Sequence, residues 1–183
     1  MESMQSPDQG PQNAQSSREE RFVAGILNLC TENKGAAARL RRADNPTTEY
    51  QSWEVLAGYG IDLEKEYERL PHACVAAAIA KSKAERNGSL KLGQAIGACY
   101  ESGNASDQAK ARLRRLLACE DVAELCRILR PLLSLIDSRV SQELDYVRLL
   151  KQLRQFGFNA QQIKAQWAQE FYGRSVPGEE GQP

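Results

Sequence analysis

The chain has 183 residues, 42% of them hydrophobic, and balances 24 Lys and Arg against 24 Asp and Glu. That length buries roughly two thirds of the unfolded surface in one large domain or two small ones, with no need of a disulfide or metal staple. A net charge of zero excludes a bulk polycation, so any polyanion site must arise from local clustering.

The ends differ from the middle. Residues 1 to 17 carry Glu2 and Asp8 without a cation, and residues 173 to 183 carry Glu179 and Glu180 against Arg174, which leaves 23 cations and 20 acids between Arg18 and Tyr172. Both ends are rich in Ser, Gln, Pro and Gly and bury too little to offset the entropy of ordering, so a disordered leader over 1–17 and tail over 173–183 are expected. No charged segment precedes an apolar run at the start, and no apolar stretch reaches about 18 residues. The expectation is a soluble, cytoplasmic protein with no membrane partner.

The fold then starts near Arg18. Phe22, Val23, Ile26 and Leu29 give a first amphipathic helix, and Asn33, Lys34 and Gly35 make a corner. The stretch from Lys34 to Ala43, KGAAARLRRA, follows with four cations and no acid. At 3.6 residues per turn Ala36, Leu40 and Ala43 share one stripe, while Lys34, Arg39, Arg41 and Arg42 spread over the remaining arc. Most charge runs are solvated faces, but those mix signs, and this one does not. Asn45 before Pro46 predicts an N-cap opening a helix that carries Trp53, Leu56 and Ala57 and ends at Gly58 and Gly60.

The acids between Asp62 and Glu68 read as solvated loop or helix. Pro71 then opens an alanine-rich helix through Val75, Ala78 and Ile79 to about Glu85, and Asn87, Gly88 and Ser89 mark a turn. In SLKLGQAIGACY the stripe is Leu92, Ala95, Ile96 and Cys99; Gly93 and Gly97 cost about 1 kcal/mol each inside a helix, which points to close helix approach. The loop from Glu101 to Ser106 divides the chain into an N-terminal bundle, 18–102, and a C-terminal bundle, 103–172.

Beyond that loop Ala109, Leu113, Leu116 and Leu117 define a stripe and leave Arg112, Arg114 and Arg115 as a second acid-free cluster. Val122, Leu125, Cys126, Leu129, Leu132, Leu133 and Ile136 keep one phase across Pro131, the pattern of a single kinked helix. A helix from about Ser141 to Phe156 places Tyr146, Leu149, Leu150 and Leu153 on one face and Arg148, Lys151 and Arg154 on the other, with Gly157 as its cap. The last helix carries Ile163, Trp167 and Phe171, a spacing that fits a core-closing anchor better than a base-stacking platform. The predicted fold is all-α, eight or nine helices in two small bundles, without a sheet.

Catalytic chemistry finds no support. Cys30, Cys74, Cys99, Cys119 and Cys126 are odd in number, sit on apolar stripes and never form CxxC, so they read as core hydrophobes in a reducing compartment. The one histidine, His72, reads as a core or capping residue. There is no Gly-rich phosphate loop and no repeated carboxylate spacing for metal ions, so no enzyme activity, cofactor or metal is expected. A helix-turn-helix reader is the rival: the Gly103 turn precedes the Arg112 to Arg115 helix, but that helix lacks the Asn, Gln and Ser that read base edges beside Arg.

The elements GAAARLRRA, LKLGQAIG, RLRRLLACEDVAEL, and LDYVRLLKQLRQFG followed by IKAQWAQEFYG resemble CasB, the small subunit of the type I-E CRISPR surveillance complex Cascade, over most of residues 35 to 172. The resemblance implies an all-helical, non-catalytic subunit present as two copies head to tail, whose partners are the other Cascade subunits, the guide RNA (crRNA), the target DNA and the displaced non-target strand. It implies a basic groove that favours the open R-loop. Matched residue by residue, Arg39, Arg41 and Arg42 fall in the first basic motif, Arg112, Arg114 and Arg115 in the second, and Arg148, Lys151 and Lys164 in the C-terminal elements; Arg154 continues the ridge of Arg148 and Lys151. The alternatives are a free-standing nucleic-acid-binding regulator and a protein scaffold whose arginines meet acidic partners.

Overall fold

A computed structural model describes residues 16–173. The chain is all-α: α1 (Arg18–Glu32), α2 (Lys34–Arg41), α3 (Trp53–Gly58), α4 (Glu66–Ser82), α5 (Leu92–Ala98), α6 (Asp107–Leu117), α7 (Val122–Arg139) and α8 (Tyr146–Tyr172), with short 3₁₀ turns at Arg42–Asp44, Glu49–Ser52 and Gly103–Ala105. Among the described residues there is no strand, only one isolated parallel bridge between Leu90 and Leu144. The expected disordered ends lie outside the described residues, apart from Ser16, Ser17 and Gly173. Ser17 caps α1: its Oγ accepts from Glu20 N at 3.2 Å, and Glu20 Oε2 accepts from Ser17 N at 2.9 Å.

The alanines of α4 place it at the centre. Ala73, Cys74, Val75, Ala76, Ala77, Ile79 and Ala80 are all buried, and a helix apolar all round must be covered on every side. Small side chains let neighbours approach, and α1, α2, α7 and α8 all pack on it. Helix α5 seats on α8, and α6 packs on α5 and α7. Trp167 and Phe156 stack within α8, ring centroids 6.1 Å apart, and the Trp167 indole donates to Gln152 Oε1 at 2.8 Å, so the C-terminal aromatic is core. Four cysteines are buried and Cys30 is half-buried. His72 is buried too, edge-on to Phe22 with its Nδ1 2.6 Å from Glu68 O, and burial pushes its pKa down to about 4.

Several boundaries differ from the sequence expectation. Asn45 does not cap a helix: its Oδ1 accepts from Thr47 N at 3.0 Å, closing a turn, and the chain becomes helical only at Glu49. Helix α4 begins at Glu66, before Pro71, because Glu66 and Glu68 in its first turn complement the helix dipole and Glu68 accepts from Arg18 at 2.5 Å. Residues 87 to 89 form no turn, and Gly88 N donates to Leu144 O at 2.9 Å. Helix α8 starts at Tyr146, where Asp145 accepts from Arg148 N at 3.0 Å, and its break falls at Asn159 (φ −129°, ψ 31°), not at Gly157.

The two glycines of α5 have different reasons to be there. A Cβ at Gly93 would lie 2.4 Å from Trp167 O, whereas one at Gly97 would meet nothing nearer than 3.5 Å. An ionic cluster that the sequence did not reveal lies between the two halves of the chain: buried Glu49 accepts from Arg69 Nε at 3.0 Å and from buried Arg130 at 2.7 Å.

Candidate nucleic-acid interface

Helix α2 is set by Asn33, which ends α1 and caps α2 by accepting from Ala36 N at 2.9 Å. Ala36, Ala37, Leu40 and Ala43 are buried, so the cations are pushed to the outside. Arg39 has only a loose partner, Glu54 at 3.9 Å. Arg41 Nε donates to Ala80 O at 2.8 Å near the end of α4, where a helix C-terminus favours a cation. Arg42 donates to the neutral Gln51 Oε1 at 2.5 Å, and Lys34 is exposed, so the charge on this face stays largely uncompensated.

Helix α6 is built the same way. Ser106 caps it, Ala109, Leu113 and Leu116 are buried, and Arg112, Arg114 and Arg115 are exposed. Arg112 donates to Tyr100 Oη at 2.8 Å, a neutral partner, and among the described residues Arg114 and Arg115 make no ion pair.

The α8 cations are held otherwise. Arg148 meets Glu170 at 2.7 Å; Lys151 meets Glu20 at 3.5 Å; Arg154 pairs with Glu19. Burial of the Glu19 carboxyl would raise its pKa, yet the backbone hydrogen bond and the Arg154 guanidinium together hold it below the ordinary value. The Glu170 side chain is only 5% exposed and also accepts from Gly93 N at 3.1 Å, so Arg148 is part of the joint between α5 and α8. Lys164 lies over the Phe156 ring at 5.8 Å. The ridge of Arg148, Lys151 and Arg154 is therefore a seam of internal ion pairs. Nothing local in the sequence announces it: the acids of α1 stand more than 130 residues away, and Glu170 returns only because α8 breaks at Asn159.

The ten candidate cations thus fall into two groups. Six, on α2 with its C-cap Arg42 and on α6, keep exposed or neutral-partnered charge except for the loose Arg39 contact; three on α8 are paired with acids and Lys164 faces a ring. Helix α2 is seated on α4, and α6 on α5 and α7. Among the described residues no cluster of His, Cys, Asp and Glu could hold a metal ion, and no helix is long and apolar enough to cross a membrane.

A family model described as CRISPR-associated protein Cse2 matches residues 36–172. The chain belongs to the Cse2 family. Among solved structures, it is similar to a Cse2-family CRISPR-associated protein from Thermus thermophilus, at 23% identity over 87% of this chain and 100% of that one, with a TM-score of 0.72. It is similar to M. ruber CasB at 24% identity, covering 86% and 94% of the two chains with a TM-score of 0.68. A chain of a CRISPR RNA-guided surveillance complex matches at 22% identity over 84% and 90%, with a TM-score of 0.63. At these identities the likeness establishes a shared fold. Among curated proteins none matches the chain by sequence.

Proposed function

We propose that this Cse2-family chain is the non-catalytic small subunit of a type I-E CRISPR RNA-guided DNA surveillance complex, and that α2 and α6 hold the displaced non-target strand and so stabilise the R-loop. Family membership and likeness to a surveillance-complex chain support the setting. Its partners there are the other Cascade subunits, the guide RNA, the two DNA strands and a second copy of itself. One observation carries the binding role: two helix faces expose arginines that, among the described residues, no carboxylate neutralises, apart from Glu54 beside Arg39.

The energetics fit such a role. The heteroduplex formed in an R-loop is about as stable as the duplex it replaces, so modest contacts to the displaced strand tip the balance. Arginines without an acid release counterions when they meet phosphate, whereas those of α8 would first have to leave their own carboxylates. The α8 cations accordingly serve the fold, and the strand lies on α2 and α6.

The test uses assembled complexes carrying Arg42→Glu, Arg114→Glu and Arg115→Glu together, with footprinting of the non-target strand. These exposed charges contribute little to stability, so assembly survives while strand protection is lost, more completely as salt rises. Unchanged protection sinks the groove; failure to assemble moves these arginines to a protein or guide-RNA interface and favours the scaffold.

A further inference from the structure

The segment facing α2 carries two large aromatic side chains that the core does not use. In the 3₁₀ turn Glu49–Ser52 and the start of α3, Glu49, Ser52, Val55 and Leu56 turn inward, while Tyr50 is 59% exposed and Trp53 38% exposed. Tyr50 and Trp53 stand three residues apart, about one turn, so they share a face. Gln51 and Glu54, the next residues along, are the very contacts of Arg42 at 2.5 Å and Arg39 at 3.9 Å. The aromatic pair therefore lies on the same short segment as the residues that meet Arg39 and Arg42. Trp53 is held in place by the Arg69 guanidinium 5.6 Å from its ring centre, and Arg69 is anchored on Glu49.

We propose that Tyr50 and Trp53 are a stacking platform for unpaired bases of a single DNA strand whose phosphates lie on Arg39 and Arg42; this rests on the reading of α2 as a strand-holding face. Duplex bases are already stacked on one another, so an aromatic face beside a phosphate-binding helix selects unpaired strand, and it does so without regard to sequence because every base has a π-face. The chain as a whole has no net charge, so a purely ionic grip would fade with salt. Stacking adds a part that salt leaves in place.

The experiment titrates the full-length chain with oligothymidylate DNA at low salt, reading tryptophan fluorescence. The chain has two tryptophans and Trp167 is wholly buried, so quenching reports Trp53. The expected result is saturable quenching that Trp53→Phe abolishes, an affinity at least about fivefold weaker in Tyr50→Ala, and recovery in Tyr50→Phe. Tyr50→Ala keeps the wild-type salt slope, whereas Arg42→Gln lowers it by about 0.7. Tyr50 is mostly exposed, so its variant keeps the wild-type melting curve and remains a test even where a Trp53 variant does not fold. Salt-dependent binding without quenching, and unaltered by Tyr50→Ala, overturns the platform and leaves the cationic face standing. No binding by the wild type removes both. Stronger binding of the matching RNA or duplex, or a Tyr50→Ala chain that binds DNA normally yet fails to enter the complex, also overturns it and gives the patch to another partner.

Discussion

Gly93→Ala sets two known effects against each other. Alanine in a helix interior is worth about 1 kcal/mol more than glycine, so on local propensity alone the change stabilises α5. The added Cβ, however, would sit 2.4 Å from Trp167 O, 2.6 Å from Glu170 Cβ and 2.7 Å from Phe171 N, against the 3.4 Å at which ordinary contact begins. Two of those three atoms are backbone, so relief requires α5 and α8 to separate by about 1 Å rather than one side chain to rotate. Such overpacking costs roughly 1–3 kcal/mol or more, and separation also stretches the Gly93 N to Glu170 hydrogen bond of 3.1 Å. With the propensity gain subtracted, the net expectation is destabilisation by up to about 2 kcal/mol. Gly97→Ala is the internal control: its Cβ would meet only ordinary contacts from 3.5 Å outward, so it keeps the propensity gain and is neutral to slightly stabilising. Urea unfolding followed by helical circular dichroism, with both variants beside the parent, reads the difference. A Gly93→Ala chain as stable as Gly97→Ala would refute the close-approach reasoning.

Three further outcomes follow from the buried groups. His72 has its folded-state pKa lowered from 6.5 to about 4 by burial, so its contribution is complete above about pH 6.5 and is lost as pH falls toward 4, about 3 kcal/mol in all; His72→Phe should flatten that limb of a stability-against-pH curve, and an unchanged limb would assign it elsewhere. Glu49→Ala leaves buried Arg130 without its acid and should cost about 3–5 kcal/mol in denaturant unfolding, a loss too small to measure showing that the cluster is not buried as described. Trp167→Ala should cost roughly 3–5 kcal/mol through the lost core and leave the salt dependence of DNA binding unaltered; a variant that keeps its melting temperature but loses binding would make Trp167 a base-stacking residue.

The all-α fold was legible because its helices carry clean stripes: Leu113 and Leu116, Leu125 through Ile136, and Leu149 through Leu153 are buried as their spacing requires. The single helix across Pro131 and the close approach at Gly93 were legible for the same reason. Helix starts were less so, since Asn45 and Pro71 are ambiguous signals whose use is decided by distant partners such as Arg18 on Glu68. For the candidate interface, the acid-free arcs of α2 and α6 could be read directly from local spacing. Along α8 local spacing could not show the ion pairs, because the acids that meet these cations come from α1 and from beyond Asn159. Tyr50 carried no signal until its exposure was seen.

The seam that joins the first helix to the last also governs when the protein can finish folding. Glu19 and Arg154 stand 135 residues apart, and at about 5–20 residues per second a ribosome takes roughly 7 to 27 s to supply the second after the first. For that interval α1 and the α8-facing side of α4 exist without their cover, and closing so long a loop is the slow kind of contact to form. Helices α1, α4, α5 and α7 thus await their last neighbour with apolar surface open to solvent, which makes the nascent chain the stage at which this protein depends most on protection from aggregation.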